Sequence, residues 1–277
     1  MRLGGPVFAK SADPEGWVRA VVAAGYRAAY CPVPPTADDG TVQSYARAAA
    51  AADIVIGEVG AWSNPFSPDD TTRRKAEQHC IDCLALAERI GARCCVNIAG
   101  SLGSKWDGPC PQDLAPETFD RVVAMVRTII DGVRPTRTFY TLETMPWMLP
   151  DSADAYLTLL KAVDRRAFAV HLDPVNLVNC PTRAFDTAGL LRECFAKLGP
   201  RIRSCHAKDI RLDTRLTVHL DEVRPGLGCL DYGVFLQELS RLDPDVPLLL
   251  EHLPNEAEFT LAAAHIRSVA RREGLPL

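Results

Sequence analysis

The sequence predicts an α/β protein folded as a single (β/α)8 barrel over residues 1–277, and three observations carry that prediction. Strand-like and helix-like runs alternate along the chain with no composition break that would mark a linker, which is the α/β signature. A length of 277 residues, 47% of them hydrophobic and 24% charged, suits one large core. A barrel of this class needs about 250 residues. Four apolar runs at residues 138–142, 168–172, 202–205 and 246–250 are each followed at once by a metal-competent side chain: Glu143, Asp173, His206 and Glu251. Only a fold that gathers the C-terminal ends of its strands on one face brings together residues so far apart in sequence.

The first strand is expected at residues 6–9. A helix follows at 13–24, with Ser11 or Asp13 as N-cap, Pro14 in its first turn and Gly25 as its stop. Strand two is expected at 26–31. Pro32, Pro34 and Pro35 then impose an irregular loop before an alanine-rich helix at 41–52. Strand three, 53–58, ends at Glu58, which either binds substrate hydroxyls or is an inward structural acid, and which stands between glycines that let backbone approach closely. A long helix from Ser67 or Pro68 runs to Ile90 and stops at Gly91. Strand four, 93–98, carries Asn97 near its end and opens into a glycine-rich loop with Trp106, followed by a helix at 116–133. The four runs named above are strands five to eight. Helices at 152–163, 187–198, 232–242 and 256–272 complete eight strand–helix units. After strand seven, residues 211–230 are long enough for a lid or an extra hairpin, and Gly226 and Gly228 let that stretch fold back over the barrel mouth.

Composition excludes several classes. A net charge of −4 and a pI near 5.9 offer no basic field for nucleic acid. No stretch approaches the roughly 18 apolar residues of a membrane span, and the N-terminal apolar run is too short for a signal peptide. The expectation is a soluble cytoplasmic protein. Ten cysteines include a C-x-x-C at Cys80 and Cys83, but both fall on one face of a helical pattern with Ala76, Leu84 and Ala87, and no second pair follows at ribbon spacing. They read as buried helix thiols, and a cytosolic setting argues against structural disulfides.

An acid just after a strand is commonly a helix cap, and a lone histidine is commonly a satisfied core residue. Four consecutive strands ending in metal-competent residues make an unlikely set of caps. Three carboxylates and one imidazole suit a divalent cation, Mn²⁺ first, with Mg²⁺ or Co²⁺ as well and Zn²⁺ less diagnostic. Such a cation acts as a Lewis acid on the oxygens of a keto-sugar and makes the neighbouring C–H acidic enough for a carboxylate base. Glu143 and Glu251 come from non-adjacent strands and so can face opposite sides of a planar enediolate as catalytic acid and base. Proton return on the other face gives epimerisation, return at the adjacent carbon gives isomerisation, and loss of a β-substituent gives elimination.

At these residues the chain resembles the xylose isomerase-like TIM barrel superfamily, in particular the sugar phosphate isomerase/epimerase group with its ketose 3-epimerases and keto-inositol dehydratases. The segment LALAERIGARCCVNIAG is similar to that group's passage from helix three to strand four. HAKD is similar to its H-x-K-D element, and RPGLGCLDYGVFLQEL to its P-G-x-G-x-x-D-[YF] loop and following helix. The similarity spans nearly the whole chain. It implies a divalent cation held by Glu143, Asp173, His206 and Glu251, chemistry beside a carbonyl, and a homo-oligomer. Against the ketose 3-epimerases, Asn176 stands where a substrate-contacting histidine is expected and Leu149 where a glutamate is expected. Arg211 lies one residue short of their arginine. Asn176 can orient a hydroxyl but cannot exchange a proton with it.

Glu58, Asn97, Trp106, Asn176, Lys208 and Arg211 are the substrate-binding candidates. Lys208 lies two residues beyond His206 and so on the same side of its strand, where it can bind a substrate oxygen, act as an acid, or pair with Asp209 or Glu251. Trp62, Trp106 and Trp147 fall in loops on the catalytic side, where indoles make flat walls for sugar C–H faces. Alternation points His252 away from Glu251. The reading is a metal-dependent isomerase or epimerase of a ketose or keto-sugar, phosphorylated or not. The alternative is a lyase or dehydratase that eliminates from a keto-sugar, 3-keto-glycoside or keto-inositol. A DNA-repair endonuclease would need more histidines at strand ends and a basic groove, and a sugar-binding barrel without catalysis would not need the carboxylate pair.

Overall fold

The computed structural model describes residues 1–9 and 13–277. Its strands are β1 (Arg2–Gly5), β2 (Ala28–Tyr30), β3 (Val55–Gly60), β4 (Cys94–Asn97), β5 (Tyr140–Glu143), β6 (Phe168–Leu172), β7 (Ile202–Ala207), β8 (Asp209–Leu212), β9 (Leu220–Val223) and β10 (Pro247–Leu250). Eight of them close into a parallel barrel in the order β1-β10-β7-β6-β5-β4-β3-β2, while β8 and β9 form a separate antiparallel hairpin. Helices α1 (Pro14–Ala23), α2 (Asp39–Ala51), α3 (Asp70–Ile90), α4 (Pro116–Val133), α5 (Ala153–Val163), α6 (Pro181–Phe185), α7 (Thr187–Leu198), α8 (Tyr232–Ser240) and α9 (Glu256–Arg272) are interspersed between the strands and follow the last one. The (β/α)8 architecture is therefore as the alternation of runs requires. Among the described residues no helix is long and apolar enough to cross a membrane.

The first strand departs from expectation. It lies at Arg2–Gly5 and not at 6–9, paired through Arg2↔Pro247 on one side and Gly4↔Ala28 on the other. Gly4 and Gly5 look like strand breakers in sequence, but a Cβ at Gly4 would lie 2.2 Å from the Ala28 carbonyl oxygen and 2.7 Å from Leu249 Cδ2. Close approach, not a turn, is what the glycine serves. Helix starts follow side-chain caps: Asp13 accepts from Gly16 N at 2.6 Å, Asp38 from Thr41 N at 2.9 Å and Asp69 from Thr72 N at 2.7 Å. Ser11, the other cap expected for α1, lies outside the described residues. Cys80 and Cys83 are buried free thiols on α3. Burial pushes the Cys83 thiol up to about 12, so it stays protonated and inert.

The stretch after β7 does form a hairpin, and Asp209 anchors its return. One buried carboxylate accepts from the backbone amides of Gly226 (2.9 Å), Gly228 (3.0 Å), Leu230 (2.9 Å) and Ile210 (2.9 Å). Glycine at 228 is required by that approach, since a Cβ there would stand 2.3 Å from both Asp209 Oδ1 and the Ile210 carbonyl oxygen. Asp231 then caps α8 through Val234 N at 2.9 Å. Asp209→Ala strands four amides in the interior and is expected to cost about 3 kcal/mol, checked by the shift in a urea unfolding midpoint. A shift near zero contradicts the anchoring role.

Candidate metal centre

Glu143 is the last residue of β5, Asp173 the first after β6, His206 the penultimate residue of β7 and Glu251 the first after β10. The barrel brings all four together. His206 Nδ1 lies 2.8 Å from Glu251 Oε1, 3.3 Å from Glu143 Oε1 and 3.9 Å from Asp173 Oδ2, and one donor atom from each residue lies within 4.8 Å of the others. Neighbouring groups orient these donors. Asp173 Oδ1 accepts from Val175 N at 3.0 Å and Asn176 N at 3.4 Å, while the Thr144 hydroxyl brackets the Asp173 backbone, accepting from its N–H at 3.0 Å and donating to its carbonyl at 2.7 Å. That leaves Asp173 Oδ2 facing the centre. It and Glu251 Oε1 are buried atoms with no hydrogen-bond partner among the described residues. Orphaned carboxylate oxygens around one imidazole nitrogen fit a bound divalent cation of the hard, oxygen-preferring kind.

Beneath the donors lies a second polar layer, where Glu58 is the inward acid of its two expected roles. Glu58 does not end its strand, because β3 continues to Gly60, which pairs with Val96. The side chain is buried under the centre and does not line the cavity: Glu58 Oε1 is 3.3 Å from His206 Nε2, and Oε2 accepts from Ser204 Oγ at 3.1 Å. A proton on Nε2 donated to Glu58 leaves the Nδ1 lone pair turned to the carboxylates, the arrangement a ligating histidine needs. His171 adjoins both, with its Nδ1 3.4 Å from Glu58 Oε2 and its ring centroid 4.1 Å from that of His206. Burial drives its pKa down to about 3, so it is neutral. His171 went unnoticed in the sequence, although it sits two residues before Asp173 and so on the same side of β6.

Above the donors, a cavity of about 610 Å³ opens at the barrel mouth, lined in part by Trp62, Trp106, Trp147, Met145 and Phe259. Asn176 and Lys208 reach it. Asn176 Nδ2 donates to Glu143 Oε1 at 3.1 Å and to the Thr144 carbonyl at 3.0 Å, so it steadies one of the four donors. Lys208 Nζ lies 2.7 Å from both Asp173 Oδ2 and Glu251 Oε1. Two other expected residues stand elsewhere. Asn97 is buried outside the lining and ties down the loop after β3, donating to the Ser63 carbonyl at 3.2 Å and accepting from Ser63 N at 3.3 Å. Arg211 is exposed on the hairpin, paired in register with Asp221. His252, expected to point away, lines the mouth instead, because its positive φ of 56° takes it out of strand alternation. Its Nδ1 is 3.3 Å from Glu222 Oε2, a cavity residue supplied by β9 that sequence reasoning missed.

Electrostatics divides the four donors. Burial opposes the charge on His206, but Glu251, Glu58 and Glu143 outweigh it and hold its pKa well above 6.5. Burial also opposes the Glu251 charge, and His206 and Lys208 hold that carboxyl well below its ordinary range. Asp173 is the most readily protonated of the acids: burial pushes it up to about 7, helped by Glu143 and Glu251 and against the pull of Lys208.

A closed parallel barrel with a carboxylate-rich donor set at the C-terminal ends of its strands defines a class of (β/α)8 proteins with a polar centre at the mouth. The family model of the xylose isomerase-like TIM barrel matches residues 18–269, and the chain belongs to that family. No curated protein matches it significantly. Among solved structures it is similar to D-psicose 3-epimerase of Clostridium cellulolyticum (15% identity, 100% of both chains, TM-score 0.70). It is also similar to the probable 3-DHS dehydratase AsbF of Bacillus anthracis (18% identity, 96% of this chain and 95% of that one, TM-score 0.69). Endonuclease IV of Thermus thermophilus is likewise similar (16% identity, 98% of this chain and 100% of that one, TM-score 0.70). At these identities the likeness establishes the fold and not the chemistry.

Two predictions test the centre. A cation can be held only once Asp173 and His206 give up their protons, so Mn²⁺ affinity is expected to rise with pH through about 7 and on toward the elevated His206 value, with protons released on binding. The metal-free protein shows the opposite sign. A raised Asp173 costs stability increasingly above 3.8, and a raised His206 contributes stability that is lost as pH climbs through its elevated value. Calorimetry in buffers of different ionisation enthalpy reads the protons, and heats independent of buffer contradict the account. Separately, Glu58→Gln removes the acceptor that sets the His206 tautomer and is expected to weaken Mn²⁺ binding about 10–100-fold. Unchanged affinity means Glu58 only fills the barrel.

Proposed function

We propose that the protein is a divalent-metal-dependent isomerase or epimerase of a ketose or keto-sugar. One observation carries this reading. Glu143 and Glu251, from strands separated by two others in the barrel ring, converge on one imidazole at the floor of a cavity large enough for a sugar. Glu143, Asp173, His206 and Glu251 would hold the cation, which when bound supplies Lewis-acid charge at the substrate's carbonyl and neighbouring hydroxyl oxygens.

The chain's own residues account for the rest. One carboxylate takes the proton from the carbon beside the carbonyl, and the C–H electron pair moves toward the carbonyl oxygen. The other carboxylate returns a proton to the opposite face for epimerisation, or a proton is placed on the adjacent carbon for isomerisation. Glu251, held in its ionised form, suits the role of acceptor. Asn176 keeps Glu143 aimed, and Trp62, Trp106 and Trp147 offer apolar walls to the C–H faces of a sugar ring. Glu222 and Asp107 add negative charge to the lining, and Lys105 there is paired with Asp107, which favours an uncharged sugar over a phosphorylated one. The ten free cysteines suit a reducing compartment, in keeping with a cytoplasmic location.

The test is carbon-bound deuterium by NMR after incubation of the Mn²⁺-loaded protein with keto-sugars in D₂O. Exchange together with a new epimer or isomer is expected. Exchange with release of water or an aglycone moves the protein to the lyases, and no exchange with any substrate rejects the reading. Glu251→Gln, whose amide cannot accept a proton, is expected to lose about a hundredfold or more of the exchange rate. Full turnover in that variant removes Glu251 from the mechanism.

A further inference from the structure

Lys208 places a cation among the donors that would hold another one. Its Nζ is 2.7 Å from Asp173 Oδ2, 2.7 Å from Glu251 Oε1 and 3.7 Å from Glu143 Oε1. These are the same three oxygens that face His206 Nδ1. The contact is electrostatic and lacks hydrogen-bond geometry, since Asp173 Oδ2 and Glu251 Oε1 have no hydrogen-bond partner among the described residues. Asp173 has no second oxygen to offer, because Oδ1 is committed to the amides of Val175 and Asn176. An ammonium and a divalent ion held by the same oxygens repel each other strongly in a buried site.

We propose that Lys208 is a tethered competitor for the cation centre, its ammonium claiming the oxygens of Asp173 and Glu251 that a divalent ion must take. The inference rests on the reading that these four donors bind a cation. A landing place for the displaced ammonium lies nearby: Nζ is 3.8 Å from Glu222 Oε2, a carboxylate at the cavity mouth. Three consequences follow. The metal-free protein keeps its buried acids compensated, cations too weak to displace the ammonium are rejected, and loading turns Lys208 toward the space where a substrate oxygen would sit. The lysine side chain is long and flexible enough for such a shift without backbone movement.

Isothermal titration of wild type and Lys208→Met with Mn²⁺ at one pH tests the proposal. Methionine keeps an unbranched apolar stem and removes the charge. Competition predicts Mn²⁺ binding at least about tenfold tighter in the variant, the order expected when one like charge leaves a shared buried site. Equal or weaker binding overturns the proposal and makes Lys208 a brace for the carboxylates. If neither protein binds Mn²⁺, the cation reading itself fails and the inference with it.

A wild-type measurement covers the case in which Lys208→Met does not fold. Acetic anhydride labelling read by mass spectrometry is expected to modify Lys208 faster with Mn²⁺ than without, relative to Lys75, an exposed lysine on α3. An Mn²⁺-independent or slower rate at Lys208 overturns the proposal.

Discussion

The constraint on which the site depends is negative charge buried at one point. Four carboxylates, Glu58, Glu143, Asp173 and Glu251, lie within contact distance of a single imidazole, and Asp173 and His206 are fully buried. A barrel interior tolerates such a group only if charges of the other sign are held with them. Three devices do so here. His206 sits between Glu58 below and the other three above, Lys208 enters from the side, and the raised pKa of Asp173 eases its protonation. A divalent cation would take over the role of the protons on His206 and Asp173 and of the Lys208 ammonium, so cation binding, proton release and the position of Lys208 are one problem.

The same constraint separates the scaffold from the chemistry. Glu58 does not line the mouth cavity, yet it faces Nε2 of His206 and is itself held by Ser204 and His171. Asp209 acts at greater range, gathering four amides so that the loop after the hairpin closes at a fixed place, with Glu222 carried to the mouth on β9. An epimerase, a dehydratase and an endonuclease all share this barrel, so the fold leaves the reaction open. The mouth itself sets three indoles beside four acids, two lysines and a histidine.

Much of this was legible in the sequence, and the exceptions have physical reasons. Glu143, Asp173, His206 and Glu251 could be found because each terminates a buried apolar run, and strand ends in a barrel converge. Two strand bounds differ: β1 lies at Arg2–Gly5 and β3 runs past Glu58 to Gly60, and Gly4 and Gly60 both pair in the barrel wall. Two-residue alternation would have found His171 had the pattern been followed inward from Asp173. It could not find His252, where a positive φ ends the alternation. Glu222 comes from the far strand of a hairpin, and no local pattern ties that strand to the site. Asn97 is a polar residue near a strand end whose side chain holds the loop after β3, whereas Asn176 lines the mouth and also bonds Glu143.

The central claim is that Glu143, Asp173, His206 and Glu251 together form a cation site. Anomalous diffraction from crystals soaked in Mn²⁺ tests it most directly. The account predicts one strong peak within bonding distance of His206 Nδ1 and of oxygens from all three acids. A peak bonded instead to Glu58 and His171, or no peak at the barrel mouth, would contradict it.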